Sequence, residues 1–279
     1  MEIRDIIIKE NIKAKKNYGQ NFLVDQNILK KIVESTNLEN QNIIEIGPGL
    51  GSLTDFLAQK AKKLVCYEID KDMIAVLSKR FDKNEKINII HQDFLKIDIQ
   101  KEIEKYFQNE DVILVANLPY YITTAILTKV LEETKQIKQI IVMVQKEVAM
   151  RLAGKPSTKD YNSLSVLIQY YTDTKILFNV SPKCFIPAPE VESSVISITL
   201  KKEKFNVLNE AFFLKFNRNI FTQRRKTLYN NIKVAYDMSK EQIESVLKNN
   251  NLPLTVRAES LTVEQIVKLS NDIYITINK

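Results

Sequence analysis

The sequence predicts an α/β protein: a doubly wound, mostly parallel sheet followed by a small all-helical domain. Three observations carry that prediction. Over the first 200 residues, apolar runs of five or six residues alternate with helix-spaced stretches, which is the pattern of βαβ units. Three of the five glycines in the 279-residue chain crowd into Gly47, Gly49 and Gly51, directly behind the first of those runs. Past Leu200 the period changes, and apolar residues recur at helical intervals.

Residues 42–46 read as the first buried strand, and 50–59 as a helix with Leu53, Phe56 and Leu57 on one face. The unit repeats as strand 64–69 and helix 71–80. Strand 87–91 is third, strand 112–116 fourth with helix 122–131 behind it, and strand 140–145 fifth. Residues 175–180 and 191–200 are two further strands, and the short proline-rich 182–189 loop between them predicts an antiparallel pair closing the sheet. Beyond them Phe212, Phe213, Phe216, Ile220 and Phe221 keep helical spacing. Thr262-Val263-Glu264-Gln265 has the form of a capping box ahead of Ile266, Leu269 and Ile273. The predicted boundary falls at 202/203, giving an α/β catalytic domain over 1–202, with a basic tail over 1–17, and a helical domain over 203–279.

Composition narrows the class. With 44% hydrophobic and 27% charged residues the chain is expected to be globular. No apolar run has the length of a bilayer span, and the apolar start is too short for a signal peptide, so the cytoplasm is the expected compartment. Cys66 and Cys184 lack metal spacing, and Cys66, inside a strand, is expected to be a buried thiol. The single histidine, His91, excludes multi-histidine metal sites; it is taken as structural, and no metal is expected. Net charge is +7, and residues 201–240 alone hold ten Lys/Arg against three acids. A second basic cluster is Lys9, Lys13, Lys15 and Lys16. Localised positive charge suits a phosphate backbone, although either cluster also fits a solvated helix face.

Chemistry is concentrated at two strand ends. The glycine cluster requires a tight backbone that a ligand can approach closely. Glu68 ends the next strand, where an acid accepts hydrogen bonds from ribose hydroxyls. Asp93, after the third strand, is placed for the amine of an adenine. Glu45, just ahead of the glycines, suits the ammonium of S-adenosylmethionine. The GxGxG spacing, rather than GxGxxG, counts against a nicotinamide enzyme. The second strand end carries Asn117-Leu118-Pro119-Tyr120. Alone this string is an ordinary turn. In a doubly wound sheet, however, the first and fourth strands are neighbours at the switch point, so Asn117 and Gly47 are predicted to face one crevice. There the Asn117 amide oxygen and the Leu118 carbonyl can accept both hydrogens of a base amine and aim its lone pair at an activated methyl. Tyr120 can stack on the ring. Phe185, in a proline-stiffened loop beside Lys183, is the candidate second wall, with plain core packing as its alternative. Together these residues suggest an enzyme that methylates an amine on a nucleobase.

Taken together, these strings resemble the ribosomal RNA adenine N6,N6-dimethyltransferase family in its small-subunit (KsgA/RsmA type) branch. The likeness also runs through Tyr18-Gly19-Gln20-Asn21-Phe22-Leu23, Met143-Val144-Gln145-Lys146-Glu147-Val148-Ala149, Phe221-Thr222-Gln223-Arg224-Arg225-Lys226-Thr227-Leu228 and Arg257-Ala258-Glu259-Ser260-Leu261. It implies a Rossmann-like class I S-adenosylmethionine-dependent methyltransferase sheet. It also implies double methylation of two adjacent adenosines near the 3′ end of small-subunit RNA during ribosome assembly, by a monomer whose helical domain helps to dock RNA. Asn21, Leu23, Gly47, Glu68, Asp93 and Asn117 match the family's cofactor contacts, and Glu45, Gly49 and Gly51 join them from the loop reading. Asn117, Leu118, Pro119, Tyr120 and Phe185 surround the target base. Lys15, Lys16, Lys183, Arg218, Arg224, Arg225 and Lys226 are the expected RNA contacts. The sequence departs from the pattern at Tyr121, Thr123 and Ala125, where Asn, Ser and Pro are common, and at Ser157 and Asn162, where glycines are expected. The large-subunit, macrolide-resistance branch is the nearest rival; Leu118, isoleucine in that branch, and the 221–228 string argue against it. A non-catalytic RNA-binding or transcription factor on this fold predicts a decayed glycine loop or tetrapeptide, and both are intact.

Overall fold

The computed structural model describes every residue except 1, 2, 16, 17, 120, 204 and 279. In chain order the first half holds α1 (Ile3–Lys9), β1 (Phe22–Leu23), α2 (Gln26–Glu34), β2 (Asn42–Ile46), α3 (Ser52–Lys60), β3 (Lys63–Glu68), α4 (Lys71–Phe81), β4 (Ile87–His91), α5 (Ile99–Phe107), β5 (Val112–Asn117), α6 (Thr123–Glu133) and β6 (Ile137–Gln145). Then follow α7 (Lys146–Leu152), α8 (Ser163–Tyr171), β7 (Thr172–Val180), β8 (Phe185–Ile186), β9 (Ser193–Leu200), α9 (Glu210–Ile220), α10 (Leu228–Ala235), α11 (Lys240–Asn249) and α12 (Val263–Ile277). The chain forms two compact units: residues 1–149 with 175–200, and residues 150–174 with 201–279.

The first unit is built on a seven-stranded sheet of order β4-β3-β2-β5-β6-β9-β7. Strands β2 to β6 pair in parallel and β9 runs antiparallel to β6. All five residues of β2 are buried, the polar Asn42 and Glu45 with Ile43, Ile44 and Ile46, as a strand inside a two-sided parallel sheet requires. Ile43, Leu64, Cys66, Ile113, Val115, Ile141 and Met143 share one apolar layer with Leu29, Leu53 and Leu57 of the covering helices. The predicted 175–180 and 191–200 strands lie side by side at the sheet edge, as β7 and β9.

Two sequence expectations need correction here. The 1–17 stretch is not a plain basic tail: Ile3 and Ile6, three apart on one face of α1, are buried among Phe22, Leu50, Met73 and Val76. The 202/203 boundary also misses a piece. Tyr161, Val166 and Tyr170 belong to the apolar cluster of the helical unit, with Phe213, Phe216, Ile220, Ile243, Leu247, Ile266, Leu269 and Ile273. Tyr170 lies 4.5 Å from Phe213, ring centre to ring centre. Residues 150–174 are therefore part of that unit. The Thr262/Gln265 capping box is formed, and Ser239/Gln242 and Asn162/Ser165 form two more. Ser157, where a glycine was expected, has φ +66, the left-handed conformation glycine would adopt without strain. Among the described residues, no helix is long and apolar enough to cross a membrane.

Candidate active site

The strand order reverses between β2 and β5, which places a crevice at their carboxyl ends. Ile46 pairs with Ala116, so the residues that follow them, Gly47 just past the end of β2 and Asn117 as the last residue of β5, lie side by side. Both line one cavity of about 370 Å³. Asn21, Leu23, Glu45, Gly49, Glu68, Asp93, Leu118, Pro119 and Phe185 line it too. Tyr120 and Lys16 lie outside the described residues.

The three glycines divide by role. Gly47 has φ +66, and a β-carbon built on it meets nothing within 4 Å, so its open side faces empty cavity. Gly49 has φ +57, lies against the Phe22 ring, and donates its N–H to Glu68 Oε2 at 3.0 Å. Gly51 is not a cavity residue, and its expected cofactor role is corrected. A β-carbon there would sit 2.8 Å from the Phe81 ring and 3.1 Å from both Leu77 and Arg80. It is the left-handed N-cap of α3, needed for the helix to approach α4.

The acids are held in defined orientations. Glu68, 5% exposed, accepts N–H groups from Ile69 and Asp70 on Oε1 besides Gly49 on Oε2. Burial pushes its carboxyl up, and the three N–H donors pull it back in part. Glu45, 2% exposed, accepts the Thr54 hydroxyl at 2.7 Å and the Cys66 thiol at 3.5 Å, both on Oε2. Burial pushes its carboxyl up to about 7, against those two hydrogen bonds. Its expected pairing with a cation therefore falls to Oε1. Desolvation, with Glu45 adding its charge, holds the buried Cys66 thiol well above the ordinary range. Asp93 caps the short turn Phe94–Lys96, accepting the Leu95 N–H on Oδ1 at 2.9 Å.

At the other strand end the Asn117 side chain donates from Nδ2 to the Asn21 carbonyl at 3.3 Å. A carbonyl only accepts, so the amide nitrogen faces Asn21 and Oδ1 is left as the acceptor. Leu118 is buried and its N–H donates to the Met143 carbonyl at 3.3 Å. The Pro119 carbonyl accepts the Ile122 N–H at 3.2 Å, closing the turn into α6. Phe185 is at once a core residue and a cavity residue. It is 4% exposed within the core layer, yet it lines the cavity, placed there by antiparallel pairing of β8 with β1, Phe185 against Leu23.

The expected RNA contacts fare unequally. Lys15 is committed elsewhere: its ammonium lies 2.7 Å from both Asp70 and Asp72. In the helical unit Arg224 is likewise engaged, through Nε to Glu259 at 2.7 Å and Nη2 to the Thr158 carbonyl at 3.4 Å. Lys183, Arg218, Arg225 and Lys226 are exposed. Sequence reasoning missed Gln20 and Asp70, whose side chains bond at 2.8 Å, and Gln92, Phe94 and Leu95 on the cavity wall. Only Gln20, inside a quoted string, carried a signal.

A family model described as ribosomal RNA adenine dimethylase matches residues 11–273. Proteins named ribosomal RNA small subunit methyltransferase A from Bacillus licheniformis and Geobacillus sp. (strain WCH70) are 43% and 46% identical, each over 96% of this chain and 94% of their own. The same-named protein of Clostridioides difficile is 42% identical over 96% of this chain and 93% of its own. Among solved structures, a dimethyladenosine transferase from Plasmodium falciparum superposes with a TM-score of 0.73 at 23% identity, covering 88% of this chain and 94% of that one. The 23S rRNA methyltransferase ErmE superposes with a TM-score of 0.71, also at 23% identity, over 93% of this chain and 100% of that one. At that identity the two superpositions show a common fold.

Proposed function

The chain belongs to the ribosomal RNA adenine dimethylase family, and from that premise we propose that it transfers methyl groups from S-adenosylmethionine to the N6 amines of two adjacent adenosines near the 3′ end of small-subunit ribosomal RNA. It does so in the cytoplasm, as a monomer acting on the assembling subunit. The observation that carries this reading is the Asn117 amide, held by the Asn21 carbonyl beside Gly47 in one cavity.

The residues present fit the cofactor. Gly47 leaves open space where any side chain would intrude. Glu68 offers ribose hydroxyls a fixed carboxylate, and Asp93 Oδ2, 4.0 Å from the exposed Lys96 ammonium, is assigned the adenine amine. Asn21 and Leu23 line the cavity from the N-terminal segment, and Glu45 Oε1 would hold the cofactor's ammonium. Bound there, S-adenosylmethionine supplies a methyl group already activated on a sulfonium. The protein's task is then alignment. Asn117 Oδ1 and the Leu118 carbonyl accept the two N6 hydrogens, which draws the nitrogen from planar towards tetrahedral and points its lone pair along the line of transfer. Phe185 fixes one face of the base, and Tyr120, by family resemblance, the other. Alignment of this kind supplies much of the rate, and the methylated amine then releases its proton to water. The base reaches the cavity only after leaving its stack. Lys183 in the first unit and Arg218, Arg225 and Lys226 in the second are assigned to phosphates.

The test is transfer of labelled methyl groups to small ribosomal subunits that lack the modification. The expected product is two neighbouring N6,N6-dimethyladenosines in small-subunit RNA. Label in large-subunit RNA would overturn the substrate assignment, and no transfer to either RNA would overturn the activity.

A further inference from the structure

Residues 18–23 reach three of the groups assigned to the target base. The Asn21 carbonyl holds the Asn117 amide. A β-carbon on Gly19 would come within 3.4 Å of Pro119 and 3.3 Å of the Tyr121 ring, so the backbone there lies close against the tetrapeptide turn. Phe22 and Leu23 form β1, which pairs with β8, the strand that carries Phe185. One end of this segment is fixed by that strand pairing. The other end is fixed by Asp70.

Asp70 is 1% exposed and takes three donors. Its Oδ1 accepts the Lys15 ammonium at 2.7 Å and the Asp72 N–H at 3.0 Å, and its Oδ2 accepts the Gln20 amide at 2.8 Å. The Lys15 N–H in turn donates to Gln20 Oε1 at 2.8 Å, which closes the segment on itself. Burial alone would raise the Asp70 carboxyl. Lys15, Gln20 and the Asp72 N–H outweigh it and leave the carboxyl below its ordinary value, so the anchor is ionised at neutral pH. The Asp70 N–H donates to Glu68 Oε1. A continuous path therefore runs from the acid assigned to the ribose, through Asp70 and Gln20, to the Asn21 carbonyl and the catalytic amide.

We propose that Asp70 is a positioning residue for methyl transfer: with Lys15 and Gln20 it clamps the N-terminal segment so that the Asn21 carbonyl turns the Asn117 amide oxygen towards the base. This role rests on the methyltransferase reading above. It also reassigns Lys15, a basic residue in a basic cluster, from contact with RNA to support of the site.

Two variants test it. Lys15→Met removes the cation and leaves Asp70 as the N-cap of α4, accepting the Asp72 N–H. Asp70→Asn leaves a single acceptor oxygen where three donors converge. Each is compared with the wild-type protein, at a temperature where circular dichroism shows it folded, for kcat and KM with small subunits, for the salt dependence of RNA binding, and for amide hydrogen exchange over residues 18–24. The expected result is a kcat at least tenfold lower, KM for RNA within twofold, an unchanged salt slope, and exchange at least tenfold faster over 18–24 with the sheet strands unaffected. A kcat within twofold of wild type overturns the proposal whatever the exchange shows. A lower kcat with unchanged exchange also overturns it, because the loss then does not run through the segment. A raised KM and a flattened salt slope for Lys15→Met would return that residue to the RNA surface. If Asp70→Asn fails to fold, Lys15→Met decides alone. Wild-type protein that transfers no methyl group defeats the methyltransferase reading, whereas equal transfer by wild type and variants defeats only this one.

Discussion

Replacing Gly51 and Gly47 by alanine, one at a time, separates the two jobs of the glycine loop. Both have positive φ, +80 and +66, so each alanine carries a left-handed backbone cost of about 1–2 kcal/mol. At Gly51 overpacking adds to it. The new methyl would lie 2.8 Å from the Phe81 ring, and its neighbours cannot simply retreat. Leu77 is fully buried, and Arg80 is tied to the Leu50 carbonyl and to Asp55. Overpacking of this kind costs about 1–3 kcal/mol. The combined loss near 3 kcal/mol corresponds to about 6–12 °C in Tm for a unit of this size. Gly47→Ala has only the backbone cost, because nothing lies within 4 Å of its β-carbon. Its methyl instead projects into space assigned to the cofactor, and a clash worth about 1.4–2.8 kcal/mol weakens binding roughly tenfold to a hundredfold. Thermal unfolding and titration calorimetry with S-adenosylhomocysteine measure the two effects. Gly51→Ala is expected to lose the larger Tm, and Gly47→Ala the larger affinity. A Gly47→Ala protein with wild-type affinity would refute the placement of the cofactor against the loop.

Three further outcomes follow from the same geometry. Asn117→Ala is expected to lower methyl transfer by about 100-fold or more while RNA binding, read by filter retention, stays within twofold; turnover close to wild type would remove its role. Burial raises the Glu45 carboxyl from 4.5 to about 7, so the fold keeps a proton that the unfolded chain has released, and stability is lost as pH rises through that window. The effect is about 3 kcal/mol; Glu45→Gln, which keeps an acceptor for Thr54, is expected to be the more stable protein at pH 8 and about equal at pH 4, and parallel Tm curves for the two proteins over that range would contradict this. Arg225→Ala is expected to reduce the salt slope of RNA binding by about 1, and Arg224→Ala, whose guanidinium is engaged by Glu259, to reduce it less; the opposite order would contradict this ranking.

The sheet was legible because its central strands are largely apolar, and a run such as 112–116 announces itself without any partner. The meeting of Gly47 and Asn117 was legible for a different reason: strand order in a doubly wound sheet follows from connectivity, so two distant motifs could be placed together. What stayed hidden depends on partners far along the chain. β1 and β8 are two residues each and exist only by pairing with each other. Asp98 and Asp25 cap α5 and α2, but no capping-box partner three residues on marks either start, so both helices went unread. The 150–174 segment joins the helical unit through Tyr161 and Tyr170, whose contacts lie some 50 residues downstream. The ion pairs were hidden for the same reason: Lys15 and Arg224 read as plain cations in the sequence, and their carboxylate partners, Asp70 and Glu259, are placed against them only by folding.

The most direct measurement is the affinity of an adenosine tethered through N6 to the amino-acid and ribose portions of the methyl donor. If one cavity aligns both reactants, this compound binds the wild-type protein at least a hundredfold more tightly than S-adenosylhomocysteine, and Asn117→Ala removes most of that gain. Affinity no better than S-adenosylhomocysteine alone would contradict the shared site.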